Sequence, residues 1–65
     1  MTKNDKKHIQ AALASGDVRL AARAIAAVHR SGSARTQVEC ERMIDDHGLR
    51  ALVRSVNGCL VEARV

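Results

Sequence analysis

Three evenly spaced glycines divide this chain into four pieces of 15, 15, 15 and 17 residues. Gly16, Gly32 and Gly48 are spaced sixteen residues apart, and the chain contains no proline. Glycine adopts without steric cost the left-handed backbone conformation that often ends a helix at its C-terminus. The spacing therefore predicts short helices that are joined by tight turns, within one domain that spans residues 1–65.

Capping signals and apolar periodicity favour helices in the first three pieces. Thr2 and Asp5 have the spacing of a capping box, and Asp17 is a favourable N-cap for a second helix. In that second piece, apolar side chains recur on one face with the period of an α-helix. The third helix can start at either Ser33 or Thr36, because both residue types cap helices well.

The last piece, from Leu49 onward, supports two interpretations. Asn57-Gly58 is the strongest two-residue signal for a β-hairpin turn, and residues 59–65 alternate with period two. A lone two-stranded hairpin is only marginally stable, however, and Arg54 would then fall on its apolar face. We therefore favour a helix that ends or kinks at Asn57-Gly58, with a β-hairpin or terminal strand as the alternative. The predicted fold class is all-α, a small bundle of three to four short helices.

The composition leaves little material for a core. The chain has no Phe, Tyr or Trp, the side chains that contribute most buried area. A chain of this length buries only about 60% of the surface that its unfolded form exposes. In the helical interpretation, one apolar side of the last piece is wider than two short helices can cover, so we expect this face to bind a partner or a second copy in a homodimer. The face comprises Leu49, Leu52, Val53, Val56 and Leu60.

Positive charge is concentrated on two of the pieces. The net charge is +4, and the sequence pI is about 9.8. Three arginines of the second piece lie within about 40° of one another opposite its apolar face, and two more lie off the apolar side of the last piece. Guanidinium groups bind carboxylates and phosphates through paired hydrogen bonds, so this basic face predicts an anionic partner. Its residues are Arg19, Arg23, Arg30, Arg50 and Arg54.

A DNA-binding transcriptional regulator of the helix-turn-helix type is the alternative interpretation of the basic face. If Gly48 forms the turn, Ile44 stands where that motif has a small residue. If Gly32 forms the turn, Glu39 and Glu41 fall on the recognition helix, where they would repel phosphate. No aromatic side chain is available to stack on a base. A protein partner is therefore favoured, with nucleic acid as the second choice.

No residues have the spacing of a metal or catalytic site. Cys40 and His47 share a helical face but lie seven residues apart, too far for ligands on adjacent turns. We expect no cofactor, no metal and no enzymatic activity, because so small a core cannot enclose a substrate pocket. The cysteines give no reason to expect an oxidising compartment, and no apolar run is long enough to cross a bilayer. These features predict a cytoplasmic protein that does not bind membranes.

The sequence as a whole predicts a small, non-catalytic helical interaction protein that binds and modulates another protein. In size and composition the chain is similar in kind to the small regulators and inhibitors that phages and mobile elements encode. That likeness implies action by occupying a surface of the target. It does not indicate which target is bound or whether binding activates or inhibits.

Overall fold

In the computed structural model, which describes residues 1–63, three α-helices are followed by a β-hairpin. The three helices occupy the first three of the four pieces that the glycines delimit, as predicted. A single 3₁₀ turn connects the last helix to the hairpin. The elements are α1 (Lys3–Ala14), α2 (Val18–Ser31), α3 (Ala34–Asp46), the 3₁₀ turn (Arg50–Leu52), β1 (Val53–Val56) and β2 (Cys59–Glu62).

Each helix begins at a side-chain cap. The Thr2 hydroxyl accepts a hydrogen bond from the Asp5 N–H at 3.1 Å, and the Asp5 carboxylate accepts one from the Thr2 N–H, which completes the predicted capping box. The Asp17 carboxylate caps α2 by accepting from two backbone N–H groups of its first turn. The hydroxyl of Ser33 accepts from the Thr36 N–H, so α3 takes the earlier of its two possible starts.

The three spaced glycines do not all play the same part. Gly16 and Gly48 have φ values of +79° and +66° after α1 and α3, as a left-handed helix end requires. Gly32 has a φ of −91°, a backbone conformation that residues other than glycine also adopt. A Cβ at Gly32 would lie 2.5 Å from Cγ2 of Thr36, which is buried. Glycine is needed there because the end of α2 and the first turn of α3 come close together.

The prediction that a helix continues after Gly48 is wrong beyond the 3₁₀ turn, and the hairpin alternative is confirmed. β1 and β2 pair antiparallel, and Val56 lies opposite Cys59 across a two-residue turn. Asn57 and Gly58 have φ values of +52° and +78°, as a type I′ turn requires. The all-α class is corrected accordingly to a mostly helical fold with a C-terminal two-stranded sheet. Residues 64–65 of the predicted helix lie outside the described residues.

The hairpin is stable here because it does not stand alone. β2 packs along α2, and Leu60 is completely buried there. Val53 and Leu60 point into the core, whereas Arg54 lies on the exposed side of β1. The expectation that Arg54 would fall on the apolar face of a hairpin is therefore wrong. Successive residues of a strand face opposite sides of the sheet, so Arg54 faces away from the core that its neighbour Val53 enters.

Helix α2 lies at the centre of the fold. It packs against α1, α3 and β2, whereas α1 and α3 contact each other little. Its buried alanines let the neighbouring backbones approach closely, and this fills the core without any aromatic side chain. The largest fully buried side chains are Ile9, Ile25, Ile44, Leu60 and Cys40.

Candidate binding cleft

The structure brings three of the five predicted arginines together. Arg23 and Arg30 of α2 and Arg54 of β1 line one open cleft of about 470 Å³ between the helix and the hairpin. Arg19 and Arg50 do not line it. We call this surface the arginine cleft. Its lining residues are Arg23, Ala26, Arg30, Arg54, Val56, Val61 and Glu62.

Helical and strand geometry together create the cleft. Arg23 and Arg30 are seven residues apart, or about two turns, so they project from the same side of α2. Ala26 lies between them on that side and is buried. Because its side chain is so small, the hairpin can approach the helix closely at this point. On the hairpin, Arg54 pairs directly with Val61, so both side chains stand on the same face of the sheet.

The cleft carries more positive than negative charge. The Arg23 Nε donates a hydrogen bond to Oε2 of Glu62 at 2.8 Å. This hydrogen bond, together with the charge of Glu62, raises the pKa of Arg23. Within residues 1–63, no carboxylate lies within salt-bridge distance of the guanidinium groups of Arg30 and Arg54. Three guanidinium groups therefore face one carboxylate, and two of the three have no acidic partner in this part of the chain.

The other two predicted arginines have different surroundings. Arg50 Nη2 lies 2.7 Å from Glu41 Oε2 and 3.0 Å from Asp45 Oδ1, and hydrogen bonds to these two carboxylates raise its pKa. Arg50 thus joins the 3₁₀ turn to α3, and its charge is neutralised there. Arg19 is exposed on the first turn of α2, outside the cleft.

Most residues of the predicted apolar partner face are buried in the protein's own core. Leu49, Val53 and Leu60 are buried in the core, and Leu52 is half-buried. Val56 is 40% exposed and lines the arginine cleft. These five residues therefore do not form one exposed surface, because the hairpin turns two of them inward. The homodimer that was expected to use this face stays a prediction.

One buried residue that sequence reasoning did not select joins the helix and the hairpin that form the cleft. His29 is only 3% exposed, and its Nδ1 accepts a hydrogen bond from the Leu60 N–H at 3.4 Å. Its carbonyl oxygen accepts one from Gln37 Nε2, and its Nε2 lies 3.7 Å from Oε1 of Glu41. His29 thereby ties β2 to α2 and faces α3 as well. Its position one turn after Ile25, on the apolar side of α2, was the available signal.

The described residues offer little for other kinds of site. Within residues 1–63, no three side chains of the types that ligate metals are grouped so that they could hold an ion. Both cysteines are free thiols, and burial raises the pKa of Cys40 to about 11. Over the same residues, no helix is both long enough and apolar enough to cross a bilayer.

Comparison with protein-family models, curated proteins and solved structures found no match for this chain.

Proposed function

We propose that this protein is a small, non-catalytic binding module that captures an acidic segment of another protein in the arginine cleft. One observation carries the proposal. Arginines from two separate elements, Arg23 and Arg30 on a helix and Arg54 on a strand, converge on the same concave surface. Such a convergence places several paired-hydrogen-bond donors around one site, where carboxylates are bound most strongly.

The apolar part of the cleft favours protein as the ligand. Val56 and Val61 lie beside the arginines, and Val56 leaves 40% of its surface exposed. An acidic peptide segment carries carboxylates for the guanidinium groups and apolar side chains for the valines. A nucleic acid backbone supplies only the charge.

DNA binding of the helix-turn-helix type is the second candidate. In its favour, Arg50 neutralises Glu41 of α3 at 2.7 Å, which removes one of the two charges that would repel DNA from that helix. Against it, only Gly32 and Ser33 separate α2 from α3, which is shorter than the usual turn of about 3–4 residues. Glu39, the other of these two charges, has no cationic partner within salt-bridge distance among residues 1–63. We therefore rank an acidic protein segment first.

The proposed action is regulation by occupancy, as in a small regulator or inhibitor of the type that phages encode. Binding in the cleft would cover an acidic surface of the target and block its other contacts. This needs no catalytic group or cofactor. We propose that the protein is cytoplasmic, since its two cysteines are free thiols and nothing in the sequence points to an oxidising compartment.

The test uses a fluorescein-labelled 12-residue peptide of Glu, Asp, Val and Gly, with binding measured by fluorescence anisotropy. We compare the unaltered protein with Arg30→Glu/Arg54→Glu, which reverses two charges in the cleft. The matched control is Lys7→Glu/Arg19→Glu, which reverses two exposed charges outside it. We expect the cleft variant to weaken binding about tenfold or more and the control to change it less than about twofold.

Two results would overturn the proposal. Equal losses in both variants would mean that the peptide responds only to net charge. Stronger binding of a labelled random-sequence duplex, with an affinity that falls steeply as salt rises from about 50 mM, would support the DNA-binding candidate instead. Circular dichroism spectra and thermal melts establish that each variant is folded.

A further inference from the structure

Two of the three arginines in the cleft are available to a ligand. Arg30 of α2 and Arg54 of β1 line the cleft, and both are exposed. Within residues 1–63, neither guanidinium group donates a hydrogen bond to a side chain or lies within salt-bridge distance of a carboxylate. Arg23 differs, because its Nε already donates to Oε2 of Glu62 at 2.8 Å. Two separate elements therefore each present one unneutralised guanidinium group to the same concave surface.

The charge of the cleft indicates the charge of its ligand. Among the described lining residues, three arginines against one glutamate leave a net charge of +2. Because Arg23 and Glu62 neutralise each other, this excess belongs to Arg30 and Arg54. One carboxylate supplies a single negative charge and two acceptor oxygens, which match one guanidinium group. A phosphate monoester supplies a charge of about −1.5 to −2 at pH 7 and three acceptor oxygens, which match two.

We propose that the acidic segment bound in the arginine cleft carries a phosphorylated serine or threonine, whose phosphate group binds Arg30 and Arg54. This inference rests on the proposed function and specifies the chemistry of its ligand. Clusters of arginine are a recurring means of binding phosphorylated peptides. Phosphorylation of the partner would then control whether it binds.

The lining of the cleft favours a phosphorylated protein over other sources of phosphate. The cations among its described residues are all arginines, whose planar guanidinium groups bind phosphate oxygens in pairs, whereas a lysine acts as a point charge. Val56 and Val61 lie beside them, and Val56 is 40% exposed. The side chains that flank a phosphorylated residue can cover these valines. Inorganic phosphate would leave them uncovered.

The test compares three labelled 12-residue acidic peptides that differ only at two central positions. These positions are phosphoserine-glycine, serine-glycine or glutamate-glutamate. The glutamate-glutamate peptide has about the charge of the phosphopeptide but lacks the three phosphate oxygens. Fluorescence anisotropy at pH 7.5 gives each affinity. The cleft variant is Arg30→Gln/Arg54→Gln, and the matched control is Arg19→Gln/Arg35→Gln, which removes two exposed charges outside the cleft.

We expect the unaltered protein to bind the phosphopeptide about tenfold or more tightly than the glutamate-glutamate peptide. The cleft variant should reduce this preference to about threefold or less, and the control should retain it. The preference should also decrease between pH 7.5 and 5.5, because the second pKa of a phosphate monoester is about 6. Glutamate, with an ordinary pKa of about 4.3, stays mostly ionised over this range. The ratio of the two affinities at each pH corrects for titration of the protein's own histidines.

Three results would overturn the inference. They are equal binding of the phosphopeptide and the glutamate-glutamate peptide, a preference that persists in the cleft variant, and inorganic phosphate that competes as strongly as the phosphopeptide. If the cleft variant still weakens binding of all three peptides, the arginine cleft remains a site for acidic segments. If it weakens none of them, the proposed function fails as well. Circular dichroism spectra establish that both variants are folded.

Discussion

The imidazole of His29 and the backbone of Leu60 are joined by a buried hydrogen bond. Leu60 N–H donates to His29 Nδ1 at 3.4 Å, across the contact between α2 and β2. Because Nδ1 accepts this hydrogen bond, the proton of the neutral ring is assigned to Nε2, which faces Glu41. The two walls of the arginine cleft belong to the same helix and hairpin, so this contact helps to set the spacing of Arg30 and Arg54.

Replacing His29 should therefore loosen the hairpin. His29→Leu keeps apolar volume but leaves the Leu60 N–H without an acceptor, which should lower the free energy of unfolding by about 1–3 kcal/mol. Urea denaturation measures this change, and amide hydrogen exchange at Leu60 reports it locally. His29→Asn, whose side-chain oxygen can accept near the Nδ1 position, should recover part of the loss. A His29→Leu protein as stable as the original would contradict the assigned role.

Gly32→Ala should destabilise the α2–α3 connection through a steric clash. The added Cβ would lie 2.5 Å from Thr36 Cγ2, and Thr36 is buried, so the two helices must move apart. We expect a loss of about 1–3 kcal/mol in thermal or urea unfolding. Gly48 offers a comparison, since a Cβ there meets no atom within 4 Å but φ is +66°. Asn tolerates that backbone, so Gly48→Asn should cost less than Gly32→Asn; the reverse order would contradict this explanation.

The two cysteines should differ in reactivity. Cys59 is half-buried on β2, so a thiol reagent such as 5,5′-dithiobis(2-nitrobenzoate) should modify it in the folded protein. Cys40 is fully buried and should react only when the protein unfolds. Mass spectrometry after partial labelling identifies the modified site. Rapid labelling of both thiols under folding conditions would contradict the packing of α3.

Stability should fall at alkaline pH because of Cys40. Burial, with a smaller contribution from Glu39, raises the pKa of this thiol from 9.0 to about 11. Well below pH 9 the thiol is protonated in both the folded and the unfolded state, so it does not change the free energy of unfolding. As pH rises from 9 towards 11 the unfolded thiol ionises first, so the free energy of unfolding should decrease over that range. Cys40→Ala should remove this part of the pH dependence, and an unchanged slope in that variant would contradict the assignment.

Glu62 should act as a competitor inside the arginine cleft. Its carboxylate accepts a hydrogen bond from Arg23 at 2.8 Å, so a bound acidic segment must share or displace it. Glu62→Gln should therefore raise the affinity for the acidic 12-residue peptide by about two- to tenfold. Asp46→Asn is the matched control, since it removes an exposed carboxylate that does not line the arginine cleft. Weaker binding by Glu62→Gln, or an equal gain in the control, would count against the cleft.

Local signals predicted the helices well because each one is decided within a few residues. The caps at Thr2, Asp17 and Ser33 require only the side chain and the next turn of backbone. The common side of Arg23 and Arg30 likewise follows from helical periodicity. The turn signal at Asn57-Gly58 was also present in the sequence, but its outcome depended on a distant contact.

The hairpin was underestimated because its stability comes from α2 rather than from its own residues. Burial of Leu60 and its hydrogen bond to His29 join positions 31 residues apart in the chain, and no local pattern specifies them. The position of Arg54 in the cleft follows only once the strand register is known. The last piece also exposes less apolar surface than we expected from the sequence, because Leu49, Val53 and Leu60 are buried in the core. The observation that favours a partner is the convergence of three arginines in the cleft.

The most direct test of the arginine cleft is to map where the acidic 12-residue peptide binds. The ¹⁵N–¹H correlation spectrum of the labelled protein is recorded during a titration with this peptide. We predict that the largest shift changes occur at the amides of Ala26, Arg30, Arg54 and Val61. Changes confined to α1 and α3, or no changes at about 1 mM peptide, would contradict the assignment of the cleft as the binding site.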